Sequence, residues 1–396
     1  MALRIPEAKD VTRKKVLVRV DFNVPIKDGM VMDDTRIKAH LETLRFLKEN
    51  GSFITLISHL GRPKEGRDPE FSLKPVAEYL SNLTGWKVNF IPDCIGEAVE
   101  GAVASQLQDE IIVLENVRFY KEETKNDPSF AEKLAKPFEV FVMDAFSAAH
   151  RAHASTRGVA DYLKSFAGFL IKKEIESLSV VRDNPTHPYV LILGGAKVSD
   201  KIGVIENLLP KVDHILIGGG MAYTFLKAKG YGIGKSLCEE DKIEYANKLI
   251  SLSQVKGVKI HLPLDCVATL EAKADVPTIV IDTETSIPDD MMGLDIGPKT
   301  IKAFCEVIKE AKTIFWNGPM GVFELEPFRS GTEKVAIAVA DVAKRGGYAV
   351  VGGGDTAAAV NVFGLSDQMT HVSTGGGASL EFMEGKMLPG IEPLLD

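Results

Sequence analysis

Apolar and polar positions along this chain come in blocks rather than in simple alternation. Runs such as Val16-Leu17-Val18, Phe53-Ile54-Thr55-Leu56-Ile57, Ile111-Ile112-Val113-Leu114, Val140-Phe141-Val142-Met143 and Val190-Leu191-Ile192-Leu193 are each followed by a polar turn and then by residues at helical spacing. A strand covered on both faces has no solvent side, so it reads as a continuous apolar run, and such strands belong to parallel sheets joined by helices. The pattern predicts an α/β protein with parallel sheets. One predicted helix covers Thr35–Asn50, with Ile37, Leu41 and Leu44 on one face and Gly51 as its stop. A longer one, Lys172–Asp183, carries Ile175, Leu178 and Val181 and is closed by Asn184-Pro185; it is expected to link two halves. The last predicted helix is Ala378–Gly385, after a glycine triplet.

The two halves end their strands differently. In the second, apolar runs open into glycines at Gly194-Gly195, Gly218-Gly219-Gly220, Gly352-Gly353-Gly354-Asp355-Thr356 and Gly375-Gly376-Gly377. Glycine lets backbone approach a ligand, and a helix that follows presents free N–H groups to an anion, so several such turns in one half point to a nucleotide. In the first half the runs lead into Asp21-Phe22-Asn23, Ser58-His59-Leu60-Gly61-Arg62, Glu115-Asn116-Val117-Arg118, and Asp144 followed by His150-Arg151. Ligands of open parallel sheets bind beyond the carboxyl ends of the strands, and arginine forks match phosphate and carboxylate. That half is expected to hold a small polyanion.

A chain of 396 residues exceeds the usual size of one core, so two domains are expected. The net charge of −8 argues against non-specific nucleic-acid binding and makes the arginines a local pocket in an acidic protein. The cysteines, at 94, 238, 266 and 305, have no metal-like spacing and read as reduced thiols. The charged stretch Met1 to Lys15 lacks an apolar signal core, and no segment approaches the ~20 apolar residues of a membrane span. The expectation is a cytoplasmic protein without membrane or nucleic-acid partners.

Within the glycine turns, Lys197 and Lys201 are read as stacked on one face of a first helical turn, where they repel unless an anion lies between them; the plainer alternative is a solvated pair. Asp355 offers the hard oxygen that nucleotide-bound Mg²⁺ prefers, or else a helix cap. Gly230-Tyr231-Gly232-Ile233-Gly234-Lys235-Ser236 ends like a phosphate loop, but it is one residue short and follows no apolar strand, so it is rejected. His150-Arg151-Ala152-His153 fits an anion or a structural role better than a metal, since an arginine stands between the histidines. No dinucleotide fingerprint, GxSxG elbow or kinase HRD loop is present. A carboxylate acceptor would need no base, so lysines, glycine amides, an arginine and Mg²⁺ could carry a phosphoryl transfer by positioning and charge stabilisation.

Five segments carry a resemblance: Val18–Pro25, Ser58–Pro63, Gly194–Lys201, Trp316–Glu324 and Gly352–Thr356. Through them, in order and over nearly its whole length, the chain resembles the phosphoglycerate kinase family. The resemblance implies two Rossmann-like domains with parallel sheets, joined by an interdomain helix, with a C-terminal segment that returns to the N-terminal domain. The expected boundaries are 1–170, 171–184, 185–378 and 379–396. It implies a monomer that undergoes hinge closure and transfers phosphate between 1,3-bisphosphoglycerate and ADP, giving 3-phosphoglycerate and ATP. Asp21 and Asn23 would hold the hydroxyl and carboxyl end of the substrate. His59, Arg62, Arg118 and Arg151 would bind its phosphate region, and Arg36 would approach the transferring group. Lys197 and Lys201 would grip nucleotide and transferring phosphate, Gly376 and Gly377 would offer amides, and Asp355 would hold Mg²⁺. Glu324 would accept the ribose hydroxyls. Gly219, Gly293 and Leu294 would form the adenine slot, with Asn317, Gly353, Gly354 and Thr356 completing the nucleotide site. Ser147 departs from the glycine many relatives carry after Asp144-Ala145-Phe146. The competing readings are a two-lobed phosphometabolite-binding protein without chemistry and a nicotinamide dehydrogenase.

Overall fold

A computed structural model of the chain describes residues 2–64 and 66–396, and every site residue named above lies among them. The chain divides into two compact units, Met1–Glu176 with Met387–Asp396, and Ser177–Lys386.

The first unit is built on six parallel strands in the order Lys87–Ile91, Glu110–Leu114, Phe53–Ile57, Lys15–Arg19, Val140–Met143, Lys164–Ala167. Strand Val140–Met143 is buried throughout, and only the first residue of Lys15–Arg19 escapes full burial, which is why both read as unbroken apolar runs. The earliest strand lies in mid-sheet, and the chain passes from one side of it to the other before Val140. Loops from both directions therefore meet at its carboxyl end. The predicted helix Thr35–Asn50 is in fact two, Thr35–Ala39 and Leu41–Glu49, separated at His40. The buried His40 ring has tertiary partners on both nitrogens: Nε2 accepts the Asp21 amide at 2.9 Å and Nδ1 donates to Asp144 Oδ2 at 2.8 Å.

The C-terminal segment completes this unit. Arg4 N donates to Leu394 O and Gly390 N to Ala149 O, both at 2.8 Å. Gly390 is required for that approach, because a Cβ there would lie 3.0 Å from Ala149 Cα. The linking helix is Phe169–Asp183, longer at its start than the sequence pattern suggests.

In the second unit six parallel strands run Lys259–His261, His214–Ile217, Tyr189–Leu193, Thr313–Asn317, Tyr348–Gly352, His371–Val372. By sequence this order is 3-2-1-4-5-6, the doubly wound arrangement whose switch point lies between the first and fourth strands. Both of those central strands are buried at every residue. A separate antiparallel sheet, Ile279–Asp282, Asp265–Thr269 and Met292–Ile296, is inserted before the fourth strand and was not foreseen. The Gly194–Lys201 stretch is not the helical turn read from the sequence: the helix is Ile202–Leu208, with Lys201 at its N-cap. Here Gly194 and Gly195 donate their amides across the switch point to Asn317 O and Pro319 O, both at 2.9 Å, which commits the backbone to a loop. Lys197 and Lys201 therefore do not share a helical face. The last helix is Gly377–Met383.

Candidate functional site

Each unit presents its own site at the carboxyl ends of its strands. In the first, Asp21 follows the central strand and is almost fully buried. Its Oδ2 accepts Arg36 Nη1 at 2.8 Å and the Ser147 hydroxyl, while Oδ1 accepts the Asn23 amide at 3.0 Å. Burial would raise this carboxyl, but Arg36, Ser147 and the Asn23 amide together hold it below the ordinary aspartate value. Asn23 Oδ1 accepts Gly61 N at 2.8 Å, and Gly61 O accepts Arg118 Nη1 at 2.7 Å. Asp21, Asn23, Arg36 and Arg118 thus form one connected set. The unfamiliar Ser147 joins it by donating to Asp21, a contact that a glycine could not make.

Beyond this set opens a cavity of about 640 Å³, lined by Arg62, Arg118, Tyr120, Lys121, Arg151 and His153 among others. Burial, followed by the charges of Arg151 and Arg19, lowers the Arg118 guanidinium to about 10. Its Nε is buried with no partner. Burial and then Arg118, Arg19 and Arg151 bring His153 down to about 4. Buried donors that repel one another are stabilised when an anion enters between them.

Arg19, Glu123 and Ser155 are functional neighbours that the sequence reading missed. The fully buried Arg19 donates from Nε to Ser155 Oγ at 2.8 Å, and its Nη2 lies 3.1 Å from His59 Nδ1. Ser155 in turn donates from both N and Oγ to the Glu123 carboxylate, at 2.9 and 2.6 Å. Arg19 lies in the predicted strand-end motif, but its inward direction depends on Glu123 and Ser155, which are remote in sequence.

In the second unit a cavity of about 470 Å³ is lined by Gly195 and Ala196, Gly219 and Gly220, Met292, Gly293 and Leu294, Pro319, Gly321, Val322 and Glu324, and Asp355. The wall is mostly apolar with a few polar groups, as suits a flat heterocycle. Gly219 has φ +64°, and a Cβ there would stand 2.5 Å from Gly195 N. Lys235, Ser236 and Leu237 also line this cavity. Lys235 and Ser236 come from the segment rejected as a phosphate loop; it follows helix Met221–Ala228 rather than a strand, yet it contributes a wall.

Beside the cavity, Lys201 is buried and donates to Asn317 Oδ1, while Asn317 Nδ2 donates to Gly352 O at 2.8 Å. Thr356 Oγ1 accepts Gly318 N at 2.7 Å, which ties helix Gly354–Val362 to the switch point. Burial pulls Lys201 below the usual lysine value, with Asp200 and Asp355 opposing. Gly353 fits against Asn317, since a Cβ would lie 2.6 Å from Nδ2. Lys197 is exposed and, like Gly376 and Gly377, lies outside the cavity wall.

At the Lys201 end of the cavity a metal would find the carboxylate of Asp355, in the first turn of helix Gly354–Val362; Glu324 is the other carboxylate on the cavity wall. No cluster of three or more His, Cys, Asp or Glu suited to a metal occurs among the described residues. A single hard oxygen fits Mg²⁺ that keeps water and phosphate as its other ligands. No described helix is long and apolar enough to cross a membrane.

The family model described as phosphoglycerate kinase matches residues 6–386. A curated phosphoglycerate kinase of Thermosipho africanus is 55% identical over 382 residues, covering 96% of this chain and 95% of that protein. One of Dictyoglomus turgidum is 53% identical over 388 residues, covering 98% and 97%. Among solved structures, phosphoglycerate kinase from Coxiella burnetii superposes with a TM-score of 0.86 at 43% identity, covering 97% of this chain and 96% of that one. Phosphoglycerate kinase from Pyrococcus horikoshii OT3 gives 0.83 at 33% identity, with coverage of 97% and 96%.

Proposed function

Since the chain belongs to the phosphoglycerate kinase family, we propose that its two sites divide one reaction, the first unit binding the three-carbon acid and the second the nucleotide. The enzyme transfers the acyl phosphate of 1,3-bisphosphoglycerate to ADP, giving 3-phosphoglycerate and ATP. The reading of the chain as a binding protein without chemistry falls with that assignment.

In the proposed first site, Arg62, Arg118 and Arg151 clamp the phosphate and His59 donates to it, while Asp21 and Asn23 hold the hydroxyl and carboxyl end. The observation that carries this is Arg118, lowered to about 10 beside Arg151 and Arg19 and left with a buried unpaired Nε. Arg36 is held by Asp21 at 2.8 Å with its guanidinium half in solvent, a position from which it can reach a transferring phosphoryl group.

In the second site, Gly219, Gly293 and Leu294 would flank the adenine and Glu324 would accept the ribose hydroxyls. Lys201, anchored by Asn317, would follow the transferring phosphate, with Lys197 as an outer contact. Gly353, Gly354 and Thr356 would shape the phosphate end, and Gly376 and Gly377 would supply amides. Asp355 would hold Mg²⁺, which when bound neutralises charge on the phosphate oxygens. A carboxylate acceptor is ionised at neutral pH, so positioned positive charge suffices and no general base is required.

In-line transfer needs reacting atoms within about 3–3.5 Å, so the reading includes closure of the two units about helix Phe169–Asp183. Small-angle scattering that gives the same radius of gyration with both substrates as with either alone would count against closure. Family membership supports action as a monomer, and a glycolytic role supports a cytoplasmic location. The direct test is a coupled assay of Mg²⁺-dependent ATP formation from ADP and 1,3-bisphosphoglycerate, in which the Arg118→Ala chain is expected to lose acceptor affinity.

A further inference from the structure

Asp295 has no part in the scheme above. It follows Leu294 on strand Met292–Ile296 and is only 2% exposed. Its Oδ2 accepts Gly331 N at 2.8 Å and its Oδ1 accepts Ile296 N at 2.9 Å. Gly331 belongs to the first turn of helix Ser330–Lys344, whose own N-cap residue, Arg329, makes no side-chain cap. A carboxylate from a different element therefore satisfies that helix end.

The packing around it is tight. A Cβ on Gly331 would lie 2.2 Å from Asp295 Oδ1, and one on Gly321 would lie 2.4 Å from the same oxygen. Gly321 is followed by Val322, whose amide donates to Leu294 O at 2.9 Å. Gly293, Leu294, Gly321, Val322 and Glu324 are all cavity wall. Asp295 thus stands behind two wall segments at once and joins both to one helix.

We propose that Asp295 is a positioning residue for the nucleotide, its ionised carboxylate holding the Met292–Leu294 and Gly321–Glu324 walls at the spacing that admits the purine. The inference rests on the reading of this cavity as the nucleotide site. Burial raises the carboxyl to about 7 against the pull of its two amide partners, so the clamp loosens within the range where the enzyme can be studied. Of the groups on neighbouring elements, Tyr223 and Cys266 are pushed upward by burial, Cys266 to about 12, and stay neutral there. Other charged residues on those elements include Asp265, Lys299, Lys302, Glu324, Glu326, Arg329, Glu333, Lys334, Asp341 and Lys344. None of them ranks among the causes of the Asp295 shift.

The probe is adenosine, which has no phosphate to titrate, with affinity measured calorimetrically on the full chain. In the unmodified protein adenosine should bind about five- to tenfold more weakly at roughly pH 6 than at roughly pH 8, the loss expected when one buried hydrogen bond to a charged acceptor fails. Asp295→Asn, which can accept only one of the two amides, should bind about tenfold more weakly at the higher pH and show no such pH dependence. Its affinity for 3-phosphoglycerate should be unchanged. A carboxyl with a merely structural role predicts an adenosine affinity that does not change with pH, while fold stability falls as pH rises through the raised value. Equal pH dependence in the two proteins overturns the proposal, as does a flat profile in the unmodified protein, which can be read even if the variant does not fold. If Glu324→Ala leaves adenosine binding intact, it is the nucleotide reading of the cavity that fails.

Discussion

Arg19 Nη2 lies 3.1 Å from His59 Nδ1, and since a guanidinium can only donate, His59 must accept there and carry its proton on Nε2. The ring is therefore neutral and keeps its Nε2–H as a donor. Burial, then the Arg19 charge, holds it well below the usual histidine range.

His59 is accordingly expected to stay neutral from mildly acid to alkaline pH, whereas Arg19→Met should let its titration midpoint rise. Ring-proton NMR against pH reads both. A His59 midpoint unmoved by the substitution would show that Arg19 does not control the tautomer.

Arg118→Ala should weaken 3-phosphoglycerate binding by about 2–3 kcal/mol, the scale for a hydrogen bond to a charged group with little solvent to replace it. Arg62, which is exposed, should cost about 1 kcal/mol. ADP affinity should not change in either variant. Equal losses for both ligands by calorimetry would contradict the division of the two sites.

Lys201→Ala should lower kcat by ~10²–10³, or roughly 3–4 kcal/mol, with little change in either KM, because its contact is expected to strengthen as charge develops on the transferring group. A variant that raises the nucleotide KM and keeps kcat would make Lys201 a ground-state contact only.

If Asp355 holds Mg²⁺, then Asp355→Ala should weaken Mg-ADP binding much more than that of metal-free ADP. Equal effects would leave Asp355 as no more than a favourable charge in the first turn of helix Gly354–Val362, whose N-cap is Gly353.

Acid should destabilise the fold through buried histidines. Burial, then His214 and Lys259, lower His261 to about 4; burial and the nearby arginines do the same for His153. Folding depresses both values, so their stabilisation is complete above the unfolded value near 6.5 and is lost as pH falls toward 4. Both rings keep some solvent contact, so about 1–2 kcal/mol each is the scale. His261→Gln should flatten the dependence of Tm on pH in this window. An unchanged slope would remove His261 from the account.

The strands were legible because a doubly covered parallel strand leaves a short unbroken apolar run, told from a buried helix by its length and by the turn residues that bound it, as at Tyr189–Leu193. Most cavity-wall glycines were legible for a similar reason, being tied to strand ends. What failed to show was tertiary in origin. The break at His40 depends on Asp144, over a hundred positions away, and the loop at Gly194 depends on the carbonyls of Asn317 and Pro319. Strand Ile279–Asp282 escaped notice because it is short and largely exposed, with no buried face to give it a period. Lys235 and Ser236 were dismissed on their local context, while their contribution to the wall arises from where the chain returns.

The tail that pairs with Arg4 and Ala149 sets an order of assembly. Ser177–Lys386 is one uninterrupted stretch and has all its residues as soon as that stretch leaves the ribosome. The unit that begins first cannot finish first, because it lacks its strip Met387–Asp396 until the whole of the other unit has been made. The nascent protein thus holds every residue of its later-made lobe before every residue of its earlier one, and the strip 387–396 is the last piece the earlier lobe receives.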